Sequence, residues 1–274
     1  MNKKISVCTS VYYKDNPEFV SLAFYSIIQQ TVVPDEIIVV IDGPIPQNLR
    51  SVVTDFADRY NSILNIIEFA ENRGLGQAMR TAVEVAKYDL IARMDSDDIA
   101  VSDRFEKQLT YMETHPECDV VGGQITEFID DESNIAGRRT VPQNNDDIYK
   151  YIKSRCPFNH MTVMLRKNRV LNIGNYQDWH YNEDYYLWIR MAEAGYGFAN
   201  LPDTLVNVRV GKDMYRRRGG WQYFRSEARL QGYMLNHKMI SFPRYLYNVV
   251  GRFAVQVVMP NWLRGFVFQK MFRK

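Results

Sequence analysis

Three carboxylates fall within four consecutive positions of the chain, in the order Asp95-Ser96-Asp97-Asp98. Carboxylates this close repel one another, and the repulsion raises their pKa values unless a cation neutralises them. Oxygen ligands suit Mg²⁺ or Mn²⁺, which commonly bridge protein carboxylates and phosphates. The cluster therefore predicts a divalent-cation site that holds a phosphate-bearing ligand. The alternative is that Asp97 or Asp98 caps a helix starting near Ser102, but a cap requires one acid and not three.

The segments before this cluster alternate between strand and helix patterns. Strands are predicted at residues 5–11, 36–41, 63–69 and 89–94, and helices at 17–30, 45–60 and 75–87. The apolar run at 36–41 is typical of a strand buried on both faces. Such repetition with short connections predicts a mostly parallel, Rossmann-like α/β sheet, in which ligands bind at the carboxyl ends of the strands. Thr9, Asp42 and the acidic cluster are expected to converge at that edge.

Two loops near the same edge combine polar residues with glycines. Asp42-Gly43 follows the second strand, where an acid can accept a hydrogen bond from a nucleobase and glycine allows close backbone approach. An ordinary Asp-Gly turn is the alternative. Asn72-Arg73-Gly74-Leu75-Gly76 leads into a helix, whose N-terminus could approach the phosphates or ribose of a ligand. A plain loop containing one arginine is the alternative there.

The pattern changes after residue 104. A helix is predicted at 105–114, a strand at 120–129, a loop at 130–145, a short strand at 161–165 and a helix at 183–194. Further helices are predicted at 221–236, 245–258 and 262–272. We therefore predict a catalytic domain over residues 1–204, with a nucleotide-binding part at about 1–104 and an acceptor part at about 105–204. A C-terminal helical extension is predicted over 205–274.

Taken together, these motifs resemble family 2 glycosyltransferases over about the first 200 residues. The matching features are Thr9, Asp42-Gly43, Asn72 to Gly76 followed by Ala78, and the acidic cluster followed by Arg104. The resemblance implies the glycosyltransferase type A fold, a Rossmann-like nucleotide-binding half joined to an acceptor half. Ile41 departs from the pattern, because the family commonly has an acid there, before the position of Asp42.

The resemblance also assigns expected roles on the donor side. Thr9 and Asp42 would contact the uracil of a UDP-sugar. Asn72, Arg73, Gly74 and Ser96 would belong to the donor site, and Asp95 would contact the ribose or the metal. Asp97, together with Asp98, would bind the metal, Mn²⁺ or Mg²⁺.

Glu183-Asp184 is similar to the family's Glu-Asp motif, whose aspartate is the general base of inverting members. A sugar hydroxyl must lose its proton as it attacks the anomeric carbon, and a positioned carboxylate can accept it. The metal stabilises the departing diphosphate. The resemblance thus implies that Asp184 is the base and that Glu183 contacts the acceptor or orients the base. Two acids favoured by the helix dipole in a first turn are the alternative.

Two further side chains are candidates for substrate contacts. His160 follows Pro157-Phe158-Asn159 and is expected to contact the acceptor or the diphosphate, with a structural histidine as the alternative. Trp188 is a candidate for stacking on a sugar ring, with packing in the core as the alternative.

Residues 157–160, 182–188 and 216–220 resemble a bacterial subgroup, including amylovoran-type transferases, that builds exopolysaccharide, capsule and O-antigen units. This resemblance implies a UDP-sugar donor and an acceptor linked through diphosphate to undecaprenol. Transfer of galactose or glucose to lipid-linked N-acetylglucosamine is the expected reaction. Arg216, Arg217 and Arg218 would meet the diphosphate, because guanidinium groups match phosphate oxygens.

Charge is distributed unevenly along the chain. Residues 205–274 carry 14 Lys+Arg and 2 Asp+Glu, whereas residues 1–204 carry 20 and 30. The basic tail is also aromatic and aliphatic, which suits an anionic membrane surface better than nucleic acid. Packing of this tail on the catalytic domain is the alternative.

The apolar stretch near the N-terminus is too short for a signal peptide, and no 18-residue uncharged apolar run occurs. The three cysteines lack paired or metal-ligand spacing. We therefore expect a cytoplasmic protein at the inner face of the cell membrane.

Two other classes of protein compete with this interpretation. A nucleotidyltransferase also uses an acidic cluster on a Rossmann-like sheet, but it requires a glycine-rich loop after the first strand, and residues 12–16 contain no glycine. A non-catalytic subunit that binds a nucleotide-sugar is disfavoured because the three carboxylates and Glu183-Asp184 are all present.

Overall fold

The computed structural model describes residues 4–211 and 219–260. Arg216, Arg217, Arg218 and the helix predicted at 262–272 lie outside the described residues. The strands are β1 (Ile5–Val11), β2 (Glu36–Ile41), β3 (Leu64–Glu68), β4 (Leu90–Arg93), β5 (Ile99–Ala100), β6 (Cys118–Phe128), β7 (Ile135–Arg139), β8 (Met164–Arg166) and β9 (Gly197–Arg209). The helices are α1 (Pro17–Ile28), α2 (Gln47–Tyr60), α3 (Leu75–Val85), α4 (Arg104–Thr114), α5 (Asn145–Tyr151), α6 (Lys167–Asn172), α7 (Glu183–Glu193), α8 (Trp221–Asn236) and α9 (Phe242–Phe253).

These strands form a single sheet in the order β3-β2-β1-β4-β8-β6-β9-β5, and β7 pairs with β6. The first four strands of this order are parallel, as the strand-helix repetition predicted. Every residue of β2 is buried, which explains its unbroken apolar run. In the second half β8 runs antiparallel to both β4 and β6, whereas β9 runs parallel to β6. The fold is therefore the predicted Rossmann-like α/β type, extended by a mixed half.

Helices cover both faces of the sheet and give two hydrophobic cores. On one face α1, α2 and α4 bury Phe24, Phe56 and Phe105. On the other face α3, α5, α7 and α8 pack together around Trp188. Successive residues of β1 point to opposite cores, because strand side chains alternate between faces. The sheet is thus the middle layer of three, and its strand ends are left free to form a site.

The second half of the chain differs from the prediction at several places. Helices α5 and α6 were not predicted, and the strand predicted at 161–165 begins only at Met164. The expected loop at 130–145 contains β7, whose residues are exposed or half-buried and so lack an alternating apolar pattern. The predicted domain boundary at 204/205 falls inside β9, which pairs with β6 as far as Arg209. Strand β9 was missed because Pro202 and Asp203 interrupt its apolar run, and irregular register with β6 accommodates them.

The first helix of the C-terminal extension, α8 at Trp221–Asn236, has the predicted bounds. Helix α8 buries Leu230 and Met234 in the second core, so this helix packs on the acceptor half. Helix α9 starts earlier than predicted, at Phe242, and continues into a π-helical turn, Ala254–Val258. Within the described residues, no helix combines the length and apolar character needed to cross a bilayer.

Candidate active site

The acidic cluster lies between β4 and β5, at the carboxyl end of β4. Carboxylate oxygens of Asp95, Asp97 and Asp98 lie within 4.8 Å of one another. Asp98 is buried and accepts a hydrogen bond from the backbone N–H of Arg209 at 2.9 Å, whereas Asp97 is exposed. The predicted alternative, a helix cap, does not hold, because Asp103 is the residue that precedes α4.

Electrostatics in this cluster favour a bound cation. Burial and repulsion from Asp95 and Asp97 raise the pKa of Asp98 well above its ordinary value. Partial desolvation by the surrounding residues and repulsion from Asp95 and Asp15 raise the pKa of Asp97 to about 7. Water reaches the exposed Asp97, so repulsion is the more important cause for that residue. Three hard oxygen ligands that repel one another fit a divalent cation such as Mn²⁺ or Mg²⁺.

A fourth acid, Asp15, joins the cluster from the loop after β1. The hydroxyl of Ser96 donates to Asp15 Oδ2 at 2.8 Å, and the backbone N–H of Tyr12 donates to the same oxygen. Burial is the main cause that raises the pKa of Asp15 to about 6, and Asp95 adds repulsion. The sequence analysis missed Asp15, although its place just after the end of β1 was a usable signal. Ser96 therefore links the cluster to β1.

Arg93, the last residue of β4, is a buried cation beside the acids. It forms an ion pair with Asp95, and its Nε and Nη1 atoms have no hydrogen-bond partner among the described residues. Arg104, also fully buried, donates from Nη2 to the carbonyl oxygen of Arg93 at 2.7 Å. The positive charge of Arg93 lowers the pKa of both Asp98 and Asp184, and so opposes the larger effect of their burial. Arg93 was missed because an arginine inside an apolar strand gives no local sign of function.

Asp42 holds the loop that precedes α3. Its Oδ1 accepts the backbone N–H of Arg73 at 2.7 Å, and its Oδ2 accepts the N–H of Gly74 and the side-chain amide of Asn72, both at 2.9 Å. Gly43 permits this close approach, since its φ is +86° and a Cβ there would lie 2.5 Å from the backbone nitrogen of Asn72. The carboxylate expected to contact uracil is thus largely occupied by this loop.

Thr9 lies in the middle of β1 and is fully buried. Its Oγ1 has no hydrogen-bond partner among the described residues. A buried hydroxyl without a partner is costly, so this atom is a candidate for a ligand contact. The predicted uracil contact by Thr9 stays a prediction.

The acid pair Glu183-Asp184 opens α7. The Cβ position of Gly76 lies 3.4 Å from the side chain of Glu183, which brings the start of α3 against the start of α7. Burial and the neighbouring Asp184 raise the pKa of Glu183 to about 7. Burial also raises the pKa of Asp184, whose Oδ2 accepts from the thiol of Cys156 at 3.5 Å. A carboxylate with a raised pKa binds a proton more readily, as a general base must.

His160 and Trp188 lie behind this acid pair. His160 Nε2 and the hydroxyl of Tyr176 are 2.8 Å apart. Burial and the nearby Arg93 lower the pKa of His160 well below its ordinary value, so the imidazole is neutral. Trp188 is fully buried and packs against Phe158. The expected stacking of Trp188 on a sugar was wrong, because its ring is enclosed by the core.

The acidic cluster at the end of β4 and the acid pair at the start of α7 both lie within electrostatic reach of Arg93. This arrangement and the mixed α/β sheet define a glycosyltransferase of type A. TarS of S. aureus in complex with UDP-GlcNAc has a TM-score of 0.66 at 17% identity, over 92% of this chain and 72% of that one. Mannosyltransferase PcManGT from Pyrobaculum calidifontis, in complex with GDP-Man and Mn²⁺, has a TM-score of 0.64 at 16% identity, over 97% of this chain and 73% of that one. At these identities the likeness concerns the fold.

The family model for "Glycosyl transferase family 2" matches residues 6–174, and the chain belongs to that family. An uncharacterized glycosyltransferase of Haemophilus influenzae is 45% identical over 83% of this chain and 84% of its own length. The amylovoran biosynthesis glycosyltransferase AmsE of Erwinia amylovora is 39% identical over 97% of this chain and 98% of its own. An Escherichia coli UDP-Gal:alpha-D-GlcNAc-diphosphoundecaprenol beta-1,3-galactosyltransferase is 34% identical over 99% of this chain and 97% of its own.

Proposed function

We propose that this protein is an inverting hexosyltransferase of bacterial surface polysaccharide synthesis. It transfers galactose or glucose from a UDP-sugar to a lipid-diphosphate-linked sugar, with N-acetylglucosamine-diphosphate-undecaprenol as the favoured acceptor. The observation that supports the proposal is that a carboxylate cluster suited to a cation and a carboxylate suited to a base both lie within electrostatic reach of Arg93. The names of the E. coli and Erwinia amylovora relatives support the choice of substrates.

On the donor side, Asp95, Asp97 and Asp98 would hold Mn²⁺ or Mg²⁺. Such an ion, when bound, neutralises charge that develops on the departing diphosphate. The loop at 72–74, held by Asp42, lies before the N-terminus of α3, where backbone N–H groups favour phosphate oxygens. Thr9 and Asp42 are the proposed contacts to uracil, and Asp42 has one acceptor site left beyond its three hydrogen bonds.

On the acceptor side, Asp184 takes the proton from the attacking sugar hydroxyl. The raised pKa of Asp184 strengthens it as a base, and the thiol of Cys156 orients its Oδ2. Glu183 beside it contacts the acceptor or orients Asp184. Displacement by a hydroxyl on the face opposite the leaving UDP inverts the configuration at the anomeric carbon.

Substituting Asp184→Asn tests the proposal. We expect transfer to fall by about 10²- to 10⁴-fold, the usual contribution of a general base, while calorimetric binding of UDP with Mn²⁺ is unchanged. Glu113→Gln, which changes an exposed acid near the end of α4, is the control and should keep full activity. Full activity of a folded Asp184→Asn variant would refute the assignment of the base.

The substrates require a separate measurement. UDP-galactose and UDP-glucose are each incubated with synthetic N-acetylglucosamine-diphosphate-lipid, with Mn²⁺ or with a chelator. We expect one of the two donors to support transfer, only with the metal present, and the product to have the inverted anomeric configuration by NMR. Transfer with the chelator and no added metal would overturn the role of the cation.

We further propose that the protein binds the inner face of the cell membrane through α9. Phe242, Leu246, Val250 and Phe253 form an exposed apolar stripe on this helix, with exposed fractions of 40–63%. The chain carries no acidic residue after Glu227, so the segment is strongly basic. Apolar and basic surfaces together suit anionic lipid.

Co-sedimentation with vesicles measures this binding. A Leu246→Ser/Val250→Ser variant should lose binding to vesicles that contain anionic lipid, whereas Leu22→Ser should not. Leu22 is a suitable control because it is also exposed, at 48%, but lies on α1. Unchanged binding of the double variant would exclude α9 as the membrane surface.

A further inference from the structure

A second concave site lies on one side of α8. It has a volume of about 480 Å³ and is called the α8 pocket below. Its lining residues are Trp179, His180, Gln222, Arg225, Ser226 and Arg229. The four α8 residues are spaced three and four positions apart, so they share one face of the helix. The pocket is thus built from one helix face and the segment that precedes α7.

The walls of this pocket are held by hydrogen bonds. Trp179 Nε1 donates to the carbonyl oxygen of Ser226 at 3.1 Å, and the Ser226 hydroxyl donates to the carbonyl oxygen of His180 at 2.6 Å. The guanidinium of Arg229 lies over the Trp179 ring, 4.3 Å from its centroid. The pocket is therefore pre-formed, with an aromatic floor.

The chemistry of the pocket is that of an anion site. None of the six lining side chains is acidic, and His180, Gln222, Arg225 and Arg229 can donate hydrogen bonds besides Trp179 and Ser226, whose donors are used within the walls. Arg225 and Arg229 are exposed, and neither forms an ion pair with a carboxylate of the described residues. Guanidinium groups without a carboxylate partner match phosphate oxygens in charge and geometry.

The pocket adjoins the acid pair of the active site. The side-chain amide of Asn182 donates to the Ser226 hydroxyl at 3.0 Å, and Asn182 directly precedes Glu183. Gly76 in the first turn of α3 lies against the same short segment, since a Cβ at Gly76 would lie 3.4 Å from the side chain of Glu183. A ligand in the α8 pocket would therefore lie beside the acceptor's side of the site.

An apolar surface begins on the neighbouring face of the same helix. Trp221, next to Gln222, is 54% exposed, and its ring centroid lies 6.3 Å from that of Phe253 on α9. Phe253 belongs to the exposed stripe of α9. An anion pocket is thus followed, along the surface, by apolar side chains suited to a lipid chain.

We infer that the α8 pocket binds the diphosphate of the lipid-linked acceptor through Arg225 and Arg229. This inference rests on the proposed function. The donor diphosphate already has the acidic cluster, which acts through a cation, whereas a pocket of cations without carboxylates suits an anion that brings no metal. Its position places the acceptor sugar toward Glu183 and Asp184 and the lipid toward Trp221.

The test measures transfer to two acceptors, by the wild type and by a variant that lacks the two arginine charges of the pocket. One is N-acetylglucosamine-diphosphate-alkyl, and the other is the alkyl glycoside of N-acetylglucosamine, which has no diphosphate. For Arg225→Gln/Arg229→Gln we expect kcat/KM to fall about 10- to 100-fold with the diphosphate acceptor, as expected for lost hydrogen bonds to a charged group. With the alkyl glycoside, and for the KM of the UDP-sugar, we expect no change.

Control variants separate charge from folding. Arg59→Gln removes an exposed arginine of α2, outside both the pocket and the proposed membrane surface, and should behave like the wild type. Arg225→Lys/Arg229→Lys should recover part of the lost kcat/KM, because the charge returns without the planar geometry. Equal thermal stability of all variants excludes a general loss of structure.

Each contrary outcome is informative. An equal loss with both acceptors, no loss, or a raised KM for the UDP-sugar overturns the inference. So does lost binding to anionic vesicles with an unchanged KM for the diphosphate acceptor, which would make the pocket a lipid-headgroup site. If the wild type transfers sugar to neither acceptor, the proposed function fails instead.

Discussion

The Asp42 carboxylate could bind the uracil, or it could hold the loop of residues 72–74 in place. Replacing Asp42 with alanine distinguishes these two roles. Asp42 is 4% exposed and accepts three hydrogen bonds from residues 72–74. Each hydrogen bond to a charged group contributes about 1.5–3 kcal/mol when buried. Asn72 and Arg73 are exposed, so water replaces part of what is lost. We expect Asp42→Ala to lower the free energy of unfolding by about 2–4 kcal/mol in total.

The assay is urea unfolding together with donor kinetics. A loss of this size corresponds to a Tm lower by roughly 4–16 °C, given about 2–4 °C per kcal/mol for a domain near this size. Asp42→Asn keeps one acceptor oxygen and should lose about half as much stability. Asp58→Ala removes an exposed acid of α2 and should change stability by less than about 0.5 kcal/mol.

The KM for the UDP-sugar should rise in Asp42→Ala, because the loop before α3 loses its anchor. An Asp42→Ala protein as stable as the wild type, with a raised KM confined to uridine donors, would refute this reasoning. In that case the Asp42 carboxylate would bind the uracil and would not hold the loop of residues 72–74.

Three further outcomes are expected. Gly43→Ala should lower unfolding stability by more than about 1 kcal/mol in urea, since φ is +86° and the new Cβ meets the Asn72 backbone. In metal-free protein the pKa of Asp97 is about 7 in the folded state, above its value in the unfolded chain. The ionised Asp97 carboxylate therefore lowers the free energy of unfolding at neutral pH, and this destabilisation disappears as the pH falls from 7 to 4. Tm measured with a chelator should show this gain, Asp97→Asn should lessen it, and Mn²⁺ should raise the wild-type Tm at neutral pH. Cys156→Val should lower kcat about 2- to 10-fold without changing UDP binding, with recovery in Cys156→Ser, because the donor to Asp184 is lost.

Local patterns predicted much of the fold. Strand β1 and helix α8 have the predicted ends, because β1 is an almost continuously buried run and the buried residues of α8 recur at helical spacing. The family was identified from motifs that are each contiguous, and the family match confirmed it. Strands β7 and β9 were not predicted, since pairing with β6 stabilises them and neither has a regular apolar pattern of its own.

The roles of several site residues could be assigned only from the tertiary structure. Asp15 and Arg93 looked unremarkable in the chain, yet one hydrogen-bonds to Ser96 and the other pairs with Asp95. The residue type of Trp188 suits stacking on a sugar ring, but its complete burial excludes that role. Burial and contacts between distant segments determine such roles, and neither is encoded in the spacing of neighbouring residues.

By itself, the sequence determined the acidic cluster, because Asp95, Asp97 and Asp98 are held together by the covalent chain whatever the rest of the fold does. Only the tertiary structure placed this cluster and Asp184 within electrostatic reach of the same residue, Arg93, and brought Arg225 and Arg229 of α8 into one pocket. These groups are brought together by the packing of α3, α7 and α8 on one face of the sheet. Packing depends on contacts across the whole chain, so no single motif could predict it.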